Sequence, residues 1–345
     1  MVARVGGEHV AVTTLVDAGG DAHVYQPTPA DARDVSSAEV LFVNGLEFEG
    51  WIERLEEASG FDGLRVVATT GIDAIPFEEG DHDDHHEDDD HADHDDEHEE
   101  HSDHDDHDHD DEEHADHDDH DHDDKEHADH DDHDHDDEEH ADHDDEHEEH
   151  DHEEHAEHDD HDDHHGHDHG AFDPHAWQSL TNGVIYATNI AEALSSADPD
   201  NAATYQANAE VFIGEMEALE AEIEGMMASL PADARTVVTS HDAFGYFADR
   251  YGLTFEAPQG LSTESEPSAA DVAAMITQIR EEGISAVFVE SITDNRLLEQ
   301  IALETGATIG GTLYSDALSE EGGPASTYLD MMRHNATTLS EALGS

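Results

Sequence analysis

Residues 81–170 form an unbroken tract in which 30 of 90 residues are His, 51 are Asp or Glu and one is Lys. Its net charge is −50 with His neutral, and it holds no apolar side chain larger than Ala. Such a tract has no apolar surface whose burial would offset the entropy of ordering it, so it reads as a disordered insertion. Units of thirteen residues opened by His101, His114, His127 and His140 run through it. A fixed period can mark a solenoid, but these units have nothing apolar to stack. The tract therefore splits the chain, and the 255 residues outside it must supply the whole core. That length suffices for two domains of modest size.

Those 255 residues carry nine Arg, no Lys and 43 acids, a net charge of −34. An acidic excess spread over ordered segments reads as a surface kept hydrated in concentrated salt, where screening shortens the repulsion, which predicts a halophilic protein. Nucleic acid is excluded as a partner, because nine scattered Arg form no basic face. The chain has no Cys, so a metal must be held by His and carboxylate. No run of about 18 apolar residues is present to cross a membrane, and no apolar signal segment precedes Val2.

Apolar patterning predicts alternating strands and helices. In the first part a strand is expected at residues 10–16 (VAVTTLV), a helix from Pro29, a strand at 40–43, a helix after Gly45 through Leu55 and a strand at 65–68. Beyond the tract, Asp173 and Pro174 read as an N-cap with proline at the first helical position, starting a helix to about Leu194 with His175 in its first turn. Residues 201–230 repeat apolar positions at helical spacing and would reach about 45 Å. The alternation then resumes: strand 236–239, helices 242–250 and 267–281, strand 286–289, helix 295–305, strand 308–313 and a terminal helix from about Pro324. This order is that of an α/β fold with mainly parallel sheets flanked by helices.

Outside the tract only His9, His23, His175, His241 and His334 remain. His23 and His241 follow expected strands, as does Asp316, and His175 opens an expected helix. The carboxyl ends of parallel strands are where ligands bind in open sheets. A single His of this kind is more often an ordinary surface or hydrogen-bonded residue; the shared placement is what singles these out. Asp316 has a competing reading as a helix cap before Ala317 and Leu318.

At these residues the chain resembles the metal-binding solute-binding proteins of zinc and manganese ABC importers. The resemblance rests on His23 within DAHVYQPTP, VNGLEFEGWIERL at 43–55, DPHAW at 173–177 and DPDNAATYQANA at 198–209. It continues through TSHDAFGYFADRYGL at 239–253, EPSAADV at 266–272, VFVES at 287–291 and LYSDALS at 313–319. It implies two lobes joined by a long rigid helix: residues 1–80 and 171–200 in the amino-terminal lobe, 201–230 as the linking helix, 231–345 as the carboxyl-terminal lobe, and 81–170 as the disordered loop. It also implies one metal in the cleft, held by His23, His175, His241 and Asp316, and a monomer serving a permease and its ATPase.

Three imidazoles and one carboxylate suit Zn2+, whereas Mn2+, the alternative, favours more oxygen; imidazole also suits copper and nickel. In manganese-type relatives the position of His241 is commonly Glu. Zinc-type relatives often carry a His-rich loop where residues 81–170 lie, which implies a low-affinity metal reservoir; the plainer reading is a solvated halophilic loop. The resemblance further implies an extracellular or cell-surface location through a signal and lipid anchor, and a first strand and half-helix ahead of Met1, so that residues 1–7 read as the end of that helix. No catalytic constellation is legible. A stand-alone metal buffer, and a zinc hydrolase using Asp316 as base, are the rival readings, the latter disfavoured because four protein ligands leave no open position for water.

Overall fold

The computed structural model describes residues 1–77 and 171–344; the expected reservoir loop and its disorder lie outside the described residues. Two separate parallel sheets organise the chain. In the first, β1 (Val40–Val43) pairs in register with β2 (Leu64–Val67), Val40 opposite Leu64 and Val43 opposite Val67. In the second, β3 (Thr236–Val238), β4 (Thr254–Glu256), β5 (Ala286–Glu290) and β6 (Thr308–Leu313) lie in the order β4-β3-β5-β6, all parallel. Parallel neighbours need a crossover, and helices supply it here as the alternation predicts.

Helix α1 (Val2–Gly6) packs on the long helices beyond the tract, while α2 (Pro29–Ser37) and α3 (Ile52–Ser59) stand beside the first sheet. Thr28 caps α2 in a capping box with Asp31, and Pro29 sits at the first helical position, so that helix starts where its residues dictate. Val35, Leu41, Val43, Trp51, Ile52 and Leu55 form the local core. Around the second sheet stand α6 (Gly245–Tyr251), α7 (Ala269–Glu282), α8 (Arg296–Thr305) and α9 (Tyr328–Leu343). Every residue of β5 is buried, which accounts for its unbroken apolar run.

Between these parts of the sequence run α4 (Leu180–Ala197) and the 27-residue α5 (Ala202–Ala228), about 40 Å long. Helix α5 packs on α1, α4, α6 and α9, and its buried stripe of Tyr205, Ala209, Phe212, Met216, Leu219, Ile223 and Met227 belongs to the largest core. Both sheets fall within one compact unit.

Three sequence expectations are corrected, and one strand is added. Residues 10–16 belong to neither sheet: residues 11–14 are exposed, and only Val10, Leu15 and Val16 pack against core residues. β-branched content makes a strand only where a neighbour completes its hydrogen bonds, and among the described residues β1 pairs only with β2. No helix begins at Pro174; a 3-10 turn at Ala176–Gln178 intervenes and α4 starts at Leu180. After Gly45 the chain turns before α3 begins at Ile52, because Leu46 and Glu47 adopt left-handed conformations (φ 54° and 63°) that a helix cannot include. Strand β4 was not foreseen, being three residues on the sheet's edge.

Candidate metal centre

The carboxyl edge of the second sheet delivers three polar side chains to one place. His241 follows β3 by three residues, Glu290 is the last residue of β5, and Asp316 follows β6 by three. Two more come from segments before and after the tract: His23 from the loop ahead of α2, and His175 from the turn ahead of α4. The ligand atoms of His23, His175, His241 and Asp316 all lie within 4.8 Å of one another. His9 and His334 go elsewhere, His9 against Tyr205 and His334 with Nε2 3.0 Å from the Thr312 carbonyl. Asp316 caps nothing, since the next helix starts at Tyr328.

The Nε2 atoms of all three rings converge on one carboxylate. His23 and His241 lie 3.4 and 3.1 Å from Asp316 Oδ2, and His175 lies 3.6 Å from Oδ1, with all four side chains buried. Four ligand atoms placed tetrahedrally at zinc-like distances would be roughly 3.4 Å apart, and the three nitrogen–oxygen distances lie around that value. His23 Nε2, His175 Nε2 and Asp316 Oδ1 are buried without a hydrogen-bond partner among the described residues. Leaving such atoms unpaired is costly, and a cation they jointly coordinate removes the cost.

The second nitrogens explain the ring orientations. His175 Nδ1 lies 2.7 Å from Asp173 Oδ1, which also accepts the His175 backbone N–H at 2.9 Å. Asp173 is thus not a helix cap; it fixes the ring so that Nε2 faces the cluster. His241 Nδ1 lies 2.7 Å from Glu290 Oε2, while Glu290 Oε1 accepts the backbone N–H groups of Ser240 and His241 at 2.8 and 2.9 Å. His23 is held differently, by its backbone N–H donating to Asp21 Oδ1 at 2.9 Å and by Phe48 packed edge-on 4.8 Å away. Trp177, against Phe48 and His175, donates its indole N–H to the Ser315 carbonyl, as does the Gln178 amide, each at 2.8 Å. These bonds position Asp316 opposite the rings.

Burial alone would depress the His241 imidazolium, but the Glu290 and Asp316 carboxylates override it and hold the ring well above its ordinary value. Burial likewise opposes ionisation of Asp316, and the imidazoles of His241 and His175 override it, holding the carboxyl well below the usual range. A dication arriving here displaces a proton.

All four residues singled out in the sequence come together. Glu290 and Phe48 stood inside the quoted motifs without a role, and Asp173 was read there only as a helix cap. Glu290 alone left a signal, as a charged residue ending the apolar run AVFVE.

Among known proteins, the family model described as "ZnuA: Zinc-uptake complex component A periplasmic" matches residues 1–342. The chain is 32% identical over 346 residues to the metal ABC transporter substrate-binding lipoprotein SsaB of Streptococcus sanguinis, covering 99% of this chain and 84% of that protein. It is 27% identical over 341 residues to the manganese-binding lipoprotein MntA of Halalkalibacterium halodurans, covering 99% and 83%. It also resembles the solved manganese-bound periplasmic metal binding protein from candidatus liberibacter asiaticus, at 25% identity and TM-score 0.66, covering 99% and 94%. The chain therefore belongs to the zinc-uptake component A family, and is a metal-binding substrate-binding protein of ABC transporters rather than an enzyme.

Proposed function

We propose that the chain captures one Zn2+ ion through His23, His175, His241 and Asp316 and delivers it to an ABC importer permease. The observation that carries this is the convergence of three buried Nε2 atoms on one buried carboxylate, two of the rings being oriented from behind by Asp173 and Glu290. Three nitrogens and one carboxylate favour zinc over manganese, which prefers oxygen-rich shells. The relatives named for manganese keep Mn2+ as the alternative cargo, and the test separates the two.

On this reading residues 1–80 with 171–200, and 231–345, act as two lobes closing on the ion, with α5 in the linker at 201–230. The arrangement is supported by the two separate sheets and by ligands drawn from segments flanking α4 and α5. The protein works outside the cytoplasm, held at the membrane by a lipid anchor, as the relatives named lipoproteins suggest. It acts as a monomer in concentrated salt, and residues 81–170 serve as a reservoir whose 30 imidazoles bind divalent ions weakly beside the tight site.

The test is X-ray absorption at the metal edge on full-length chain given less than one equivalent of metal, with zinc and manganese in competition. Zinc should fill first, with three nitrogen ligands, carboxylate oxygen and no water. Preferential filling by manganese would overturn the metal assignment. An open position holding water, or a shell unchanged in Asp316→Asn, would overturn the site.

A further inference from the structure

Among the described residues no carboxylate stands behind the His23 ring, and what holds its loop instead reaches across the molecule. Asp21-Ala22-His23 and Asp173-Pro174-His175 share one local geometry: in each, the Asp Oδ1 accepts the backbone N–H of the His two residues on, at 2.9 Å. Asp173 also turns Oδ1 to the ring of its own His at 2.7 Å. Asp21 instead turns Oδ2 outward, where it accepts the Thr263 hydroxyl at 2.6 Å. Thr263 follows β4 of the second sheet, whereas Asp21 lies ahead of α2 beside the first, so the bond joins segments 242 residues apart. A second bond runs the same way, from the Gly19 backbone N–H to the Leu318 carbonyl at 3.0 Å, two residues beyond Asp316.

From this placement we infer that the Asp21–Thr263 bond is a latch that positions the His23 loop against the half of the site bearing His241 and Asp316, and so sets how fast the metal leaves. The inference rests on the metal site proposed above. Releasing the ion requires His23 to part from Asp316, and the two loops cannot separate while Thr263 donates to Asp21. A hydroxyl donating to a carboxylate is among the stronger hydrogen bonds, and this one is half-buried rather than fully solvated. Neither residue is among the four that converge on the site, so the latch belongs to the closed arrangement. Its loss should appear in dissociation and spare capture. Asp21 and Thr263 are thus positioning residues acting through His23.

The test uses the full chain in high salt, loaded with substoichiometric zinc and then mixed with excess chromogenic chelator, following the slow phase of release. Thr263→Val removes the hydroxyl at constant shape and should speed that phase about tenfold. The association rate should stay within about twofold, since capture precedes latching. Thr263→Ser should restore slow release, which a purely steric role for the threonine would not predict. Release from Thr263→Val at the parent's rate would overturn the latch while leaving the metal site standing. Equal effects on association and release, or no rescue by Ser, would also overturn it. Absence of any slow phase in the parent chain would overturn the metal site and the latch together.

Discussion

At the level of single side chains, the candidate site consists of four proposed ligands and of the groups packed behind them. Glu290 holds three positions of the His241 segment at once: two backbone N–H groups and ring Nδ1. Glu290→Gln keeps the size but weakens the partner of Nδ1, and should lower zinc affinity about 10- to 100-fold while leaving one tight site, as chelator competition would show. An unchanged affinity would mean that the ring is oriented by packing alone. His241→Glu replaces a borderline nitrogen with a hard oxygen and adds a negative charge, so competition binding should show preference moving from zinc toward manganese. Unchanged selectivity would place His241 outside the shell.

At the level of elements, close approach of helices and the turn after β1 carry constraints of their own. Gly183 lies inside α4, where alanine would favour the helix by up to about 1 kcal/mol. A Cβ there would stand 2.7 Å from the Tyr328 hydroxyl and 3.0 Å from Met216 Sδ, and Tyr328 already donates to the Trp177 carbonyl at 2.7 Å. Overpacking costs about 1–3 kcal/mol, so the clash wins: Gly183→Ala should lower stability by about 1 kcal/mol, read as a lower urea midpoint with the slope unchanged. In the turn after β1, Glu49 accepts backbone N–H groups from Asn44 and Gly45, yet burial outweighs these bonds and raises its carboxyl above 4.5. An acid whose folded-state value is raised favours the protonated native state. Its contribution therefore declines as pH rises from 4.5 through the folded value. Glu49→Gln removes this titration and keeps an acceptor, so its melting temperature relative to the parent should improve as pH rises across that window. A difference independent of pH would show that Glu49 does not titrate there.

At the level of the whole molecule, the proposed division between one tight site and a His-rich reservoir can be tested by titration calorimetry. Full-length chain at pH 7.5 should take up several weakly held zinc ions besides one tight ion, and on acidification to about pH 5.5 the weak uptake should vanish as imidazoles protonate. Stoichiometry of one at both pH values would leave the tract a solvated loop. Short-range pattern and residue chemistry were enough to report the α/β alternation, the amphipathic α5, the start of α2 at Pro29, the restriction of any metal ligands to His and carboxylate, and the four side chains that the fold brings together. Periodicity records which way a side chain faces, and so reads burial along one element. It does not record which element lies alongside, so residues 10–16 looked like a strand although no neighbour among the described residues completes their pairing, and β4, a lone Phe between Thr254 and Glu256, left no apolar pattern to read. Sheet order alone decided that β5 runs between β3 and β6. That order brings Glu290 behind His241, and it sets Asp316 opposite rings that arrive from residues 23 and 175. Asp173 looked like a cap and became the support of His175 because its carboxylate meets a ring N–H as well as a backbone one, a choice made only once the chain is folded around it.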